Sequence, residues 1–131
     1  MAISTDQITI LLVEDDKFLR DLISGKLRQE GYTVVEGVDG DEGLRLLKEK
    51  KPSIVLLDLV IPGIDGFELL KTAKGDTSVS AIPIIVLSNL GAKEDIDKAM
   101  ALGAHDFLVK AHYTPAEIVQ TVKDIIQKAY N

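Results

Sequence analysis

The sequence predicts an α/β domain built on a five-stranded parallel sheet with helices on both faces. Three observations predict it. Short apolar runs alternate five times with longer segments whose apolar residues recur at helical spacing. The runs are apolar throughout rather than alternating, as in strands buried on both sides. Four of them end abruptly in a charged or hydroxyl residue, and the carboxyl edge of such a sheet is where ligand crevices form. At 131 residues the chain has the size of one domain, placed at 1–131 with its core at about 8–129.

Ile8 to Val13 is the first strand, interrupted only by Thr9, and it runs into Glu14-Asp15-Asp16. Lys17 to Gln29 follows as a helix with Phe18, Leu19, Leu22, Ile23 and Leu27 on its apolar face, closed by Gly31. Tyr32 to Val35 is the second strand. Gly40-Asp41 opens a helix carrying Leu44, Leu46 and Leu47, which Lys50-Lys51-Pro52 stops. Ile54-Val55-Leu56-Leu57 is the third strand and delivers Asp58, with the Pro62-Gly63 turn close behind. Phe67 to Lys74 is a helix built on Phe67, Leu69, Leu70 and Ala73. After the polar stretch Gly75 to Ser80, Ile82 to Leu87 is the fourth strand, with Pro83 near its start and Ser88 at its end. A helix from about Ala92 to Leu102 closes at Gly103. Phe107-Leu108-Val109 is the fifth strand, ending at Lys110. Thr114-Pro115-Ala116-Glu117 combines an N-cap, a first-turn proline and the acid of a capping box. The last helix sets Ile118, Val119, Val122, Ile125, Ile126 and Ala129 on one face. No repeat, low-complexity tract or linker interrupts the series, so no second domain is expected.

Composition narrows the function classes. The apolar fraction is 46% and the charged fraction 27%, ordinary for a soluble domain. Net charge is -6 with both signs interspersed, which argues against a direct nucleic-acid role. There is no cysteine, so disulfides and thiol chemistry are excluded, and with His105 and His112 the only histidines a zinc site of the usual His/Cys type is not expected. Met1 to Gln7 lacks the features of a signal peptide, and no apolar run reaches membrane-spanning length. A cytoplasmic protein without membrane contact is expected.

In a parallel sheet the strand ends share one edge, so Glu14, Asp15, Asp16, Asp58, Ser88 and Lys110 converge. Clustered carboxylates repel one another and raise each other's pKa values unless a cation intervenes. Mg²⁺ suits such a set, since it takes a few carboxylate oxygens, keeps waters and accepts phosphate oxygens. Lys110 adds a compact positive charge and Ser88 a hydroxyl. The set fits a phosphoryl group carried on one of the acids. Singly, each residue has a plainer role: Asp58 as a turn or cap residue, the three acids as favourable charges at a helix N-terminus, Ser88 as a loop cap, Lys110 as a solvated lysine, Phe107 as core. Their joint placement at the strand ends weakens those readings.

The chain resembles the receiver domain of two-component response regulators, of the single-domain, chemotaxis (CheY-like) type, along essentially its whole length. The resemblance rests on Val13-Glu14-Asp15-Asp16, on Leu56-Leu57-Asp58-Leu59-Val60-Ile61-Pro62-Gly63-Ile64-Asp65-Gly66, on Val86-Leu87-Ser88, on Leu102-Gly103-Ala104-His105-Asp106-Phe107-Leu108-Val109-Lys110, and on the closing Thr-Pro helix. It implies the doubly wound strand order 2-1-3-4-5 that CheY shares with flavodoxin. It implies that Asp58 accepts a phosphoryl group from a phosphohistidine on a sensor histidine kinase or a histidine phosphotransfer protein. Asp15 would bind Mg²⁺ (or Mn²⁺) directly and Glu14 through water, alongside Asp58 and the Val60 backbone carbonyl. Lys110 and Ser88 would bind phosphoryl oxygens, and Phe107 would turn inward as Ser88 moves. The surface from about Ala92 to Lys128 would report the change to a downstream protein, as a monomer or a phosphorylation-dependent dimer.

Three departures from the family pattern matter. Ala111 follows Lys110 where most members have proline. A cis bond before a non-proline residue costs about 2.5–4 kcal/mol, so a trans bond or a strained cis one is expected, with a reshaped loop through His112 and Tyr113. Asn89 stands where a small residue is usual and would crowd Asp58. Val60 and Leu90, each two residues beyond a site residue, flank the path of an attacking water, and apolar groups there would slow loss of the phosphoryl group. Two other readings compete with a phosphorylation-controlled binding switch. A phosphatase of the haloacid-dehalogenase type needs an acid where Val60 stands. A degenerate receiver that binds partners without phosphorylation would have lost the acidic pair, the acceptor or the lysine, and all are present. Neither a dinucleotide fingerprint nor a P-loop occurs.

Overall fold

In the computed structural model, which describes residues 4–130, the sheet consists of β1 (Thr9–Val13), β2 (Thr33–Gly37), β3 (Ile54–Leu57), β4 (Ile84–Ser88) and β5 (Asp106–Val109). All pairings are parallel and the order is β2-β1-β3-β4-β5, as expected. Helices α1 (Lys17–Gln29), α2 (Gly40–Lys50), α3 (Gly66–Lys74), α4 (Lys93–Ala101) and α5 (Pro115–Tyr130) connect the strands and close the chain.

The fully apolar strands divide their residues between two cores by the period of two. Ile10, Leu12, Leu56, Ile85, Leu87 and Leu108 pack with Ile23 and Leu27 of α1 and Ile118, Val122 and Ile126 of α5. Leu11, Val13, Val55, Leu57, Ile84 and Val86 pack on the opposite side with Leu46 and Leu47 of α2, Leu69 and Leu70 of α3 and Ala99 of α4. Because β1 and β3 lie at the centre, Glu14 and Asp58 leave the sheet side by side. The Glu14 amide donates to the Gly37 carbonyl and the Asp58 amide to the Val13 carbonyl, each at 3.0 Å.

Three aspartates set the helix starts at that edge. Asp16, Asp39 and Asp65 each accept from the backbone N–H three residues on, at 3.1, 2.8 and 2.9 Å. The capping box before α5 is formed in both directions: the Thr114 amide donates to Glu117 and the Glu117 amide to Thr114 Oγ1.

Several boundaries and faces differ from expectation. Thr5–Gln7 forms a 3-10 turn, where only a polar lead-in was expected, and Met1 to Ile3 of that stretch lie outside the described residues. The second strand runs to Gly37, since its register against β1 continues through Glu36 and Gly37. The fourth begins at Ile84, because Pro83 has no N–H for the ladder and the Ile82 amide closes a turn onto the Val79 carbonyl. On α1 the inward stripe is Leu19, Ile23 and Leu27 at strict spacing of four. Phe18 and Leu22 stand one position off that stripe, and Phe18 is 79% exposed. Leu44 is half-buried rather than core, and Ala129 faces solvent while Tyr130 packs in its place, its hydroxyl donating to the Ser53 carbonyl.

Candidate functional site

Glu14 is the first residue past β1 and Asp58 the first past β3, so both carboxylates stand over the sheet's carboxyl edge, 1% and 6% exposed. Lys110, the first residue past β5, reaches across β4 to both. Its Nζ lies 2.8 Å from Asp58 Oδ2, to which it donates, and 2.6 Å from Glu14 Oε1. The contact with buried Glu14 Oε1 is a close ion pair. Glu14 Oε2 accepts from the Asp16 amide at 3.2 Å, and Asp58 Oδ1 from the Val60 amide at 3.2 Å. Asp15 is exposed, yet one oxygen from each of Glu14, Asp15 and Asp58 falls within a 4.8 Å span.

Burial pushes the Glu14 carboxyl above its ordinary range, and the nearby Lys110 ammonium only partly counters it. For Lys110, burial pulls downward, but the Asp58 and Glu14 carboxylates more than offset it, so the ammonium holds its proton more firmly than usual. A carboxyl whose folded pKa is raised stabilises the fold below its unfolded value, and that contribution is lost as pH rises through the folded value. Ionised Glu14 therefore weighs against the fold at neutral pH. Glu14→Gln, similar in size and uncharged, is expected to gain stability relative to wild type as pH rises from the ordinary carboxyl range to 7, because only the wild type then carries the cost of ionising a buried carboxyl. The gain should shrink as pH falls toward the ordinary carboxyl range. Urea denaturation of both proteins across that range checks it, and a difference between them that does not change with pH would contradict the assignment.

The remaining expected site residues share the edge without joining this contact. Ser88 is fully buried at the end of β4, and its Oγ accepts from the Leu90 amide at 3.2 Å. Phe107 is half-buried on β5 and packs against the core on the α2–α4 side. Val60 is 60% exposed, Asn89 is exposed and Leu90 is half-buried. No cis peptide bond occurs among the described residues, so the Lys110–Ala111 bond is trans, and Lys110–His112 forms a 3-10 turn. Asp16, grouped with the acids in the sequence, is the N-cap of α1.

One contributor escaped the sequence reading. Arg20 donates from Nη1 to the Glu14 carbonyl at 2.8 Å, while its Nε lies 3.4 Å from Glu36 on β2. It ties the acidic loop to the sheet. The signal was present: Arg20, Ile23 and Leu27 fall at i, i+3 and i+7, so a charge sits on the inward stripe of α1.

The donor set fits a hard divalent cation: one oxygen from each of three carboxylates falls within 4.8 Å of the others, two of them buried and one open to solvent. Fold and site together define a class, the doubly wound parallel α/β domains with an acidic pair, an aspartate and a lysine at the carboxyl edge. Within that class the chain belongs to the response regulator receiver domain family, which it matches over residues 10–123. It is thus a receiver domain of a two-component response regulator, a signal-transduction module. The phosphate regulon transcriptional regulatory protein PhoB of Escherichia coli (strain K12) is 32% identical over 119 residues, covering 91% of this chain and 52% of that protein. The chain spans about half the length of the curated relatives it matches. The Francisella response regulator 1452 receiver domain shares the fold at a TM-score of 0.84 and 25% identity, covering 93% of this chain and 98% of that one. The BeF3-activated N-terminal receiver domain of Klebsiella pneumoniae RstA does so at 0.82 and 29%, covering 90% and 97%. Among the described residues no helix is long and apolar enough to cross a membrane.

Proposed function

We propose that this receiver domain takes a phosphoryl group onto Asp58 from a phosphohistidine of a sensor histidine kinase or histidine phosphotransfer protein. The observation that carries the reading is the contact of Lys110 with buried Asp58 and buried Glu14, an aspartate oriented beside its acidic neighbours and a positive charge. Asp58 supplies the attacking oxygen, the P–N bond of the phosphohistidine breaks, and the departing imidazole takes up a proton. Asp15, Glu14, Asp58 and the Val60 carbonyl would hold the metal, Asp15 directly and Glu14 through water. Bound Mg²⁺ or Mn²⁺ supplies positive charge to the phosphoryl oxygens. Lys110 supplies the second positive charge. Ser88 keeps a hydroxyl hydrogen free while Oγ accepts from Leu90, so it can swing to donate to a phosphoryl oxygen. Phe107 then turns toward the space Ser88 leaves, and the surface of α4, β5 and α5 changes between two arrangements. That surface controls the binding of a downstream protein, in the cytoplasm, through a monomer or a phosphorylation-dependent dimer.

Intact-mass analysis after incubation with Mg²⁺ and a small acyl-phosphate donor tests the reading. One phosphoryl adduct is expected, and none when a chelator replaces Mg²⁺. Absence of any adduct while the metal binds would count against Asp58 as an acceptor. Exposed Val60 and half-buried Leu90 place apolar groups by the acceptor and the switch serine. The adduct should therefore outlast the mixing by minutes or more, and decay within seconds would remove the idea of an apolar gate.

A further inference from the structure

We infer that Gly40, on α2 and outside the acidic cluster, is a positioning residue for the metal site because it seats the loop that follows Asp58. The inference rests on the reading that Glu14, Asp15, Asp58 and the Val60 carbonyl hold a divalent cation. Gly40 is the first residue of α2, behind its Asp39 cap. Its N–H, one of the helix's unpaired first-turn donors, points out of the helix and donates to the Pro62 carbonyl at 3.0 Å. The Ile64 carbonyl lies against the α-carbon itself. A Cβ on Gly40 would come within 2.6 Å of the Ile64 carbonyl carbon and would overlap its oxygen.

The opposite side of this contact is also a glycine, constrained by its backbone angle rather than by space. Gly63 holds φ +73, a backbone conformation that an L side chain adopts only with strain, and beside it stands the carboxylate of exposed Asp41. The loop is also closed at its base, where the Gly66 amide donates to the Leu59 carbonyl at 2.9 Å and Gly66 packs on the Asp58 carbonyl. Residues 59–65 are thus pinned at the base by Gly66 and at the tip by α2. Val60 lies between those pins, and its N–H donates to Asp58 Oδ1. A side chain at position 40 cannot be absorbed by a rotamer change, since what it meets is backbone. Either the loop lifts or the start of α2 moves. Lifting the loop shifts the Val60 carbonyl and the acceptor carboxylate together. Octahedral Mg²⁺ and Mn²⁺ sites tolerate little displacement of their oxygen ligands.

Mn²⁺ binding to the whole chain, read from the resonance signal of free Mn²⁺, tests the inference without phosphoryl transfer. Gly40→Ala is expected to weaken Mn²⁺ binding about 10- to 100-fold, the range for residues that orient metal ligands. Leu47→Ala, a cavity in the same helix on the core side, should lower the melting temperature yet leave Mn²⁺ affinity within about twofold. If Gly40→Ala does not fold, Gly63→Ala strains the other side of the same contact and should weaken binding in the same direction. Wild-type affinity in either folded glycine variant would overturn the inference. So would an equal loss in Leu47→Ala, because the effect would then be general loosening. Failure of the wild-type protein to bind Mn²⁺ would overturn the metal reading itself, and this inference with it, and the wild-type arm separates that result from the others.

Discussion

Asp58→Asn is expected to take no phosphoryl group under conditions where the wild-type domain takes one. The substitution is close to a single-atom change in function. The amide oxygen can still accept from the Val60 amide, as Asp58 Oδ1 does at 3.2 Å, and the side chain still fills a site only 6% exposed. What is lost is the anionic oxygen, and a neutral amide is a poor nucleophile toward phosphorus. Lys110 then keeps Glu14 as its only carboxylate. Glu14 in turn loses the Asp58 charge, one of the causes that raise its pKa. These electrostatic changes are opposed in sign, so stability should stay within about 1 kcal/mol of wild type, and loss of the adduct cannot be ascribed to unfolding. Intact mass and a thermal melt on the same sample check both halves. An adduct of unchanged yield on the variant would move the acceptor to another residue, with Asp15 the first to examine.

Most of the fold was legible because the strands are apolar on both faces. Runs such as Ile54 to Leu57 read as buried strands once flanked by helical periodicity, and four of the five strand ends carry a residue of the site. The convergence of Glu14, Asp58 and Lys110 followed from topology alone, because β1, β3 and β5 are parallel and end at one edge. What could not be read depended on contacts between elements. Phe18 looks like a core residue in the sequence, and only the docking angle of α1 shows that the stripe through Leu19, Ile23 and Leu27 is the buried one. The reach of Arg20 to the Glu14 carbonyl, six residues back, needed the turn of the acidic loop. The seat of the acceptor loop on Gly40 needed the distance between two backbones, for which a glycine in the sequence is only a weak hint. Ser88 shows the remaining gap. The sequence places it at the edge, and the structure finds its hydroxyl oxygen bound to the Leu90 amide rather than to the acidic site.

Lys110→Ala should destabilise the domain more than any other single change in the site, by about 3 kcal/mol near pH 7. Two carboxylates that are 1% and 6% exposed would be left without their shared counter-charge, with oxygens no more than 4.8 Å apart. Removing one partner of a buried ion pair costs about 3–5 kcal/mol. The lower end applies here, because the site opens to solvent at Asp15 and a proton or a cation can substitute. The sign of the pH effect follows from Glu14, whose carboxyl is already raised by burial while Lys110 holds it down. Without the lysine it rises further, so the variant regains stability as pH falls through that raised value toward the ordinary carboxyl range. In the wild type the opposite end of the scale is affected. Lys110 is raised by its two carboxylates, so its contribution is present at neutral pH and is lost only above the usual lysine range. Urea denaturation of both proteins at about pH 5 and 7, with and without Mg²⁺, separates these effects. The deficit of the variant should narrow at the lower pH and again when Mg²⁺ is added, since the cation takes over part of the neutralisation. A deficit indifferent to both would mean that the lysine stabilises the domain through the packing of its aliphatic stem, and the electrostatic account of the site would fall.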